Sequence, residues 1–500
     1  MKKENIKKFG RTILAPLAFF SMLTSCNEDL LNPVPETLFS DQVVFSTPQR
    51  VLLQVNGLYS SMKNGAFLGG RYQVYGDIRA NDFLNRTTNG VTGLGVWNHT
   101  LTETSQNDVI NTWNSAYASI NQINVFIQGL EANAANYIAP TFPNDFTTTA
   151  SQYQGEARFL RALAYYSLLQ LYARPYADGN GSKAGLPLRL IGEKGSDNNH
   201  LARSSVADVY KQILEDLNYA ETNLPLTYSA SDLRVTRAHK NAAIALKSRV
   251  YLSMGNYASV ISEASKIAGQ NTAPYSATSG IAHALQSSVK NVFSTPQETT
   301  ENIFSFAFSA QNAPGTQNPV AFYYMPNSRG GGGEYGLNKE GIIADTKAFG
   351  TTDVRREFIL TDATDTYWTK FSSGSPFLDK APIIRYAEVL LNLAEAKVRT
   401  TNSVNTEAIS LLNAVRGRSN PAGIYQTTDF SNAQALIDAI LVERRIEFLG
   451  EGLRNIDIMR LLQTIPAKGA VGPVAPNSIN YIWPIPNSEL QVNNLMTRNE

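Results

Sequence analysis

Apolar residues recur at helical spacing along most of the chain. In "STPQRVLLQVNGLYSSM" (residues 46–62) Thr47 reads as a cap and Pro48 as a first-turn residue. Val51, Val55, Leu58, Tyr59 and Met62 then fall on one face. Ile110, Trp113, Tyr117 and Ile120 repeat the pattern. "EARFLRALAYYSLLQLYARPY" (residues 156–176) predicts a wide-faced helix that stops before Pro175. Residues 204–224 predict another, ended by Pro225.

Two later stretches share one plan. Residues 242–269 read as helix, tight turn at Gly255-Asn256, helix, and residues 383–419 repeat this with a longer turn. Paired helices with an alanine-rich first member resemble tetratricopeptide repeats, whose pairs must stack because neither buries its own apolar face. From about 270 to 380 the pattern changes to Gly, Ser, Thr, Asn, Pro and aromatics. "ENIFSFAFS" alternates like a strand, and "FYYMPNSRGGGGEYG" reads as a flexible loop. Residues 65–100 form a second irregular region. The expected fold is mainly α: a tetratricopeptide-like helix-pair scaffold over about 45–270 and 380–465, a loop-rich insertion over about 270–380, and a few short strands. Long irregular loops in such a scaffold tend to carry function.

The first 25 residues differ from the rest. Lys2, Lys3, Lys7, Lys8 and Arg11 flank a short apolar run over 13–23, the pattern of a secretory signal and too short to span a bilayer. The sole cysteine, Cys26, ends "LTSC", which resembles the lipobox of bacterial lipoproteins, where the cysteine is acylated and becomes the first mature residue. An ordinary signal beside a buried cysteine is the alternative. Lipid chains bind membranes at roughly 0.8 kcal/mol per buried methylene, so two or three anchor firmly. With Cys26 acylated, neither disulfides nor cysteine metal sites remain. Formal net charge is +1. Removing residues 1–25 takes away five positive charges and one negative, leaving about −3, which argues against nucleic acid.

The chain resembles the SusD/RagB family of Bacteroidetes outer-membrane nutrient-binding lipoproteins over nearly its whole length. The blocks that carry this are "EARFLRALAYYSLLQLYARPY", "TRAHKNAAIALKSRVYLSMGNY", "IIRYAEVLLNLAEAKVRT", "LLNAVRGRS", "ILVERRIEFLGEGLRNIDIMR" and "YIWPIPNSEL". The family commonly closes with a Gln-Asn-Pro segment, whereas this chain ends "LMTRNE". The resemblance implies one SusD-like domain over 26–500 and capture of glycans, or of peptides in some members. It also implies a SusC-type TonB-dependent barrel as partner, and lipid anchoring in the outer membrane, facing the cell surface. Glu28 and Asp29 look like the acidic export tag of such lipoproteins, or else begin a solvated linker.

Sugars offer flat C–H faces to aromatic rings and hydroxyls to Asn, Asp and Arg. Two off-period stretches combine these residue types. "RYQVYGDIRANDF" holds Tyr72, Tyr75 and Phe83 with Asp77, Asn81 and Asp82, and Trp97 follows beside Asn98. "FYYMPNSRGGGGEY" holds Phe322, Tyr323, Tyr324 and Tyr335 with Asn327 and Arg329. These, apart from Asn98 and Asn327, are the expected ligand-binding residues, and Cys26 is the expected lipidation site. Trp113 and Trp483 are expected in the core. No catalytic residue, metal or cofactor is expected. The four histidines lack ligand spacing, no H-E-x-x-H or G-x-S-x-G occurs, and Gly330–Gly333 lacks the Lys-Ser/Thr of a P-loop. Glu443 and Glu447 share a helical face, but Arg444, Arg445, Arg454 and Arg460 stand close by, and Asp457 adds a third acid. Guanidiniums keep carboxylates ionised, so a structural ion network is expected rather than a general acid. Glu388 and Glu395 read the same way. A scaffold binding only proteins, and a surface hydrolase, are the competing classes.

Overall fold

Caps and breakers set the helix ends. Thr47 Oγ1 accepts from the Arg50 amide, Pro48 takes the first turn, and the helix Pro48–Met62 buries the five residues on its predicted face. Asn256, Asn405 and Asn432 cap later helices in the same way, and His239 accepts from the Ala242 amide through Nδ1. Each such cap typically contributes about 1 kcal/mol. These elements belong to a computed structural model that describes residues 41–500. Cys26, the apolar leader and the acidic pair Glu28 and Asp29 therefore lie outside the described residues.

The chain is mainly α-helical, as the periodicity predicts. Phe146–Tyr172 packs on Val206–Asn223, Lys240–Ser253 on Tyr257–Ala268, and Tyr386–Thr401 on Thr406–Gly417. The pairs stack in turn: Val206–Asn223 meets Lys240–Ser253, and Tyr257–Ala268 meets Tyr386–Thr401 although residues 269–385 intervene. Trp113 and Trp483 are buried, as expected. The structure differs from the reading of the sequence at three places. Residues 71–78, expected to be irregular, form the helix Arg71–Ile78, which is buried nearly all round and so shows no apolar stripe. The helix expected from Glu156 starts at Phe146, because its first turns bury only Phe146, Ala150 and Gly155, too sparse a stripe to register. Ile383 and Ile384 belong to a strand, Pro382–Arg385, and not to the helix that follows.

That strand closes the insertion. It pairs antiparallel with Asn302–Ser305, within the alternating "ENIFSFAFS", and so closes residues 306–381 into one loop. A second ribbon joins Phe83–Asn85 to Tyr335–Leu337, with Phe83 opposite Leu337 and Asn85 opposite Tyr335. A third pairs Ile359–Thr361 with Thr366–Trp368.

The expected ion network exists, with partners from elsewhere in the chain. Arg385 donates to Glu301 at 2.5 Å, Glu447 at 2.9 Å and Glu451 at 2.7 Å. Arg355 bridges Glu443 at 2.5 Å and Glu447 at 3.0 Å, and also holds Asp353 at 2.7 Å. Arg416 binds Glu443 at 2.8 Å, Lys370 binds Glu451 at 2.8 Å, and Arg418 joins Glu301 to Glu447. The arginines expected beside Glu443 and Glu447 act elsewhere. Arg444 and Arg460 hold Asp457, Arg460 also holds Glu395, and Arg445 holds Asp82. The reason is rotational: on a helix the residue next to a glutamate points about 100° away from it. Glu388 pairs with Arg249. Burial alone would raise Glu447, but Arg418, Arg385 and Arg355 hold it well below the usual carboxylate range. Asp457 is held at about 2 in the same way: burial would raise it, and Arg444 and Arg460 outweigh that.

Glu447→Ala is expected to lower stability by about 3–5 kcal/mol, since it strands buried guanidiniums. Glu357→Ala, which breaks the exposed pair with Lys290, is expected to cost little that is measurable. The folded-state carboxyl values of Glu447 and Asp457 are depressed. Their contribution is therefore complete above the ordinary range near about 4 and is lost as pH falls toward the folded values. Urea denaturation of both variants at neutral and acidic pH checks this. Equal losses for the two would place the network in solvent.

Candidate functional site

The structure does bring the two aromatic stretches together, but largely by burying them. Phe83 stacks on Tyr324 with centroids 4.6 Å apart, and Tyr323 stacks on Tyr335 at 6.2 Å. The Tyr323 hydroxyl donates to the Gln317 carbonyl and the Tyr335 hydroxyl to the Thr92 carbonyl, both at 2.9 Å. Tyr75 donates to Asp108 at 2.7 Å. Tyr75, Phe83, Tyr323, Tyr324 and Tyr335 are all without solvent exposure. This corrects the expectation that they form a sugar platform: their faces are occupied by one another and, for Tyr75, by Trp483.

The carboxylates are interior as well. Asp82 accepts from Arg445 at 2.6 and 2.8 Å and from the Ile342 amide at 2.9 Å. Burial would raise it, and Arg445 more than offsets that. Asp77 accepts from the Gly452 amide at 2.7 Å and is pushed well up by burial and by neighbouring Asp82. Asn81 is half-buried, and its side-chain oxygen accepts from Arg445 at 3.1 Å. Asp77 and Asp82 are spent on folding and not presented to a ligand.

The glycine run is packed rather than free. A Cβ on Gly331 would sit 2.1 Å from the Met325 carbonyl, and one on Gly332 2.5 Å from the Phe322 ring. The loop needs bare backbone there to lie across the short helix Val320–Tyr324. Asn327 and Arg329 are exposed at its tip.

Four of the expected aromatic and polar candidates keep some accessibility besides Asn81: Tyr72, Trp97 and Phe322 are half-buried, and Arg329 is exposed. Tyr72 meets Phe67 edge-on at 6.1 Å. Phe322 meets Phe377 edge-on at 5.9 Å. Phe377 is half-exposed in an irregular loop and was missed. Its signal was the isolated aromatic in "SSGSPF". Trp97 is the most constrained of these. It sits on the short helix Leu94–Asn98, donates its indole N–H to the Phe83 carbonyl at 3.0 Å, and has the Lys468 ammonium 5.7 Å from its ring centroid. Leu84 and Gly469 border it, and Asn98 is half-exposed beside it.

Glu443 and Glu447 are fully buried and saturated by guanidiniums, so the one sequence-level carboxylate pair cannot protonate a ligand. Among the described residues no group of three or more His, Cys, Asp or Glu comes together to hold a metal. None of the described helices is long and apolar enough to cross a membrane.

Comparison with known proteins places this geometry. A family model described as "Starch-binding associating with outer membrane" matches residues 47–252, and the SusD family model matches residues 362–500. The gap between them holds most of the insertion. A SusD superfamily protein from Bacteroides fragilis is 33% identical, with 91% of this chain and 100% of that chain covered and a TM-score of 0.79. SusD-like protein P38 of Formosa agariphila is 25% identical over 96% of this chain and 97% of its own length. A laminarin-binding SusD-like protein shares the fold at TM-score 0.68 and 22% identity, with 91% of this chain and 99% of that chain covered.

Asp108 supplies a test of the buried cluster. Burial pushes it up to about 6, against the opposing pull of the Tyr75 hydrogen bond and of Arg71. A raised carboxyl favours folding below its ordinary value of 3.8, and that contribution is lost as pH rises through about 6. Asp108→Asn keeps an acceptor for Tyr75. It is expected to be more stable than wild type at pH 8, by up to about 3 kcal/mol, with the difference closing near pH 4. Thermal melts at the two pH values check this, and a gap independent of pH would refute the burial account.

Proposed function

The chain belongs to the SusD/RagB family, and from that premise we propose that it is a non-catalytic surface lipoprotein that captures glycans and hands them to a SusC-type TonB-dependent transporter. The observation that carries the glycan reading is Trp97. Its indole edge is pinned from within, which leaves a fixed, partly open ring with polar neighbours, the element that a sugar C–H face requires. Phe322 and Phe377 offer a second, smaller apolar patch. Saturation of Glu443 and Glu447 supports binding without hydrolysis. A protein of this fold is described as laminarin-binding, which supports a polysaccharide as the ligand class. The lipid anchor belongs to the same proposal and rests on "LTSC" at residues 23–26.

A shallow site with one or two rings binds weakly, in the micromolar to millimolar range, about −8 to −4 kcal/mol. Trp97→Ala is expected to lower glycan affinity by about 1–2 kcal/mol, roughly five- to thirty-fold. Phe322→Ala is expected to cost less, and both variants should still melt in one cooperative transition, somewhat below wild type. Affinity electrophoresis on laminarin and other polysaccharides measures the change. Unaltered retention of Trp97→Ala, or binding of peptides and no polysaccharide, would overturn the reading.

Cys26→Ala is expected to move the protein from the membrane to the soluble fraction without changing its melting temperature. Fractionation and blotting test this. A variant that stays with the outer membrane would show that docking on the transporter is anchor enough.

A further inference from the structure

A cavity of about 260 Å³ lies between the Leu94–Asn98 helix and the C-terminal segment. That is just below the range of about 300–1,000 Å³ typical of small-molecule sites. Val96, Leu101, Ile482 and Ile485 line it with apolar surface, and Arg79, His99 and Trp483 supply its polar wall.

The charge there lacks the carboxylate partner that most buried arginines of this chain have. Arg79 is 2% exposed and donates only to neutral oxygens: Asn455 Oδ1 at 3.1 Å, the Asn480 carbonyl at 3.3 Å and the Tyr481 carbonyl at 2.8 Å. Lys468, equally buried, sits behind the wall. Its ammonium donates to the Ile78 and Arg79 carbonyls at 2.5 and 2.7 Å and lies 3.4 Å from His99 Nε2. Among the described residues neither cation pairs with a carboxylate. Arg161, Arg249, Arg355, Arg385 and Arg460, buried to the same degree, each have at least one. An unpaired buried charge is costly, and such groups cluster at functional sites.

Other features agree. Burial lowers Lys468 well below its ordinary range and Arg79 to about 10. Burial, with Lys468 and Arg79 beside it, drives His99 to about 2, so the imidazole is neutral and supplies no counter-charge. His99 is held at φ +58°, a left-handed conformation that costs a non-glycine residue free energy. Trp483, 1% exposed, has an indole N–H with no acceptor. The carboxylate on the cavity wall, Glu103, is taken by Arg498 at 2.6 and 3.1 Å.

We propose that this cavity binds an oxyanion group, a carboxylate or a sulfate, carried on a sugar-sized molecule, with Arg79 as its direct partner and Lys468 adding charge from behind His99. The apolar wall then takes the ring that bears the group. The inference does not rest on glycan capture at Trp97, which is not among the residues lining the cavity.

The test is calorimetry on the mature chain with glucuronate, glucose 6-sulfate, unmodified glucose and inorganic sulfate. One or both acidic sugars are expected to bind, at least tenfold more tightly than glucose, with affinity falling as salt rises. Arg79→Gln should weaken binding tenfold or more. Because Arg79 is buried and that variant can fail to fold, Leu101→Trp, which fills the cavity from a half-exposed wall position, is the second variant and should abolish binding. Laminarin in excess should leave acidic-sugar affinity within about twofold, which separates this site from the glycan platform. Inorganic sulfate binding as tightly as glucose 6-sulfate would overturn the sugar-borne ligand and assign the site to a free ion. Glucose binding as tightly as glucuronate, no binding by any probe, or binding that survives Leu101→Trp would overturn the site itself.

Discussion

Glu447 has no water to fall back on, and its compensation comes from three distant places. Arg355 lies inside the insertion, Arg385 at its closing strand, and Arg418 beyond the Thr406–Gly417 helix. Each of these guanidiniums is buried and needs a carboxylate in turn, which Glu301, Asp353, Glu443 and Glu451 supply. An apolar cluster of the same shape could stabilise a fold as well. The charged version adds interdependence: no partner can leave without stranding another charge in a dry interior. The helix Ala433–Glu447 and the insertion therefore hold one another in place, although they are far apart in sequence.

That coupling explains why the insertion is not a set of free loops. Residues 306–381 are held at both ends by the paired Asn302–Ser305 and Pro382–Arg385 strands, and Arg385 enters the ion cluster directly from the second of these. With the ends held, residues 320–337 reach back to residues 83–85 and bury their tyrosines against Phe83. The loop content that a ligand could use is what this docking leaves uncovered: Trp97, Phe322, Phe377 and the exposed tip at Arg329.

Helical periodicity made most of the scaffold legible, because a buried stripe repeats every 3.6 residues whatever it packs against. It failed where burial was sparse, at residues 146–155, and where a short apolar run served a strand, at Ile383 and Ile384. The ion network was legible in kind, since crowded charges of both signs must pair. Its partners were not, because Arg355 and Arg385 lie far from Glu447 along the chain. The site was least legible. Aromatics mixed with Asn and Asp read alike whether a loop faces water or docks on a second loop. Tyr323, Tyr324 and Tyr335 are polar enough for a surface, yet two of them meet backbone carbonyls inside. The clues to docking were Gly331 and Gly332, whose bare backbone a solvated loop would not have needed.

The orientation of Trp97 is inherited from the helix that carries Glu443 and Glu447. Arg445 sits between Glu443 and Glu447 on one helix, and its outward turn grips Asp82 at 2.6 Å. Asp82 immediately precedes the strand whose first residue, Phe83, is held on one side by Leu337 and on the other by stacking against Tyr324. The Phe83 carbonyl then fixes the Trp97 indole at 3.0 Å. A ring positioned this way gives up little conformational freedom when a ligand settles on it, and weak binding sites gain most from that saving. The helix that the buried carboxylates fix thus reaches the surface through Arg445, Asp82 and the Phe83 carbonyl, and a single half-exposed ring is where that path arrives.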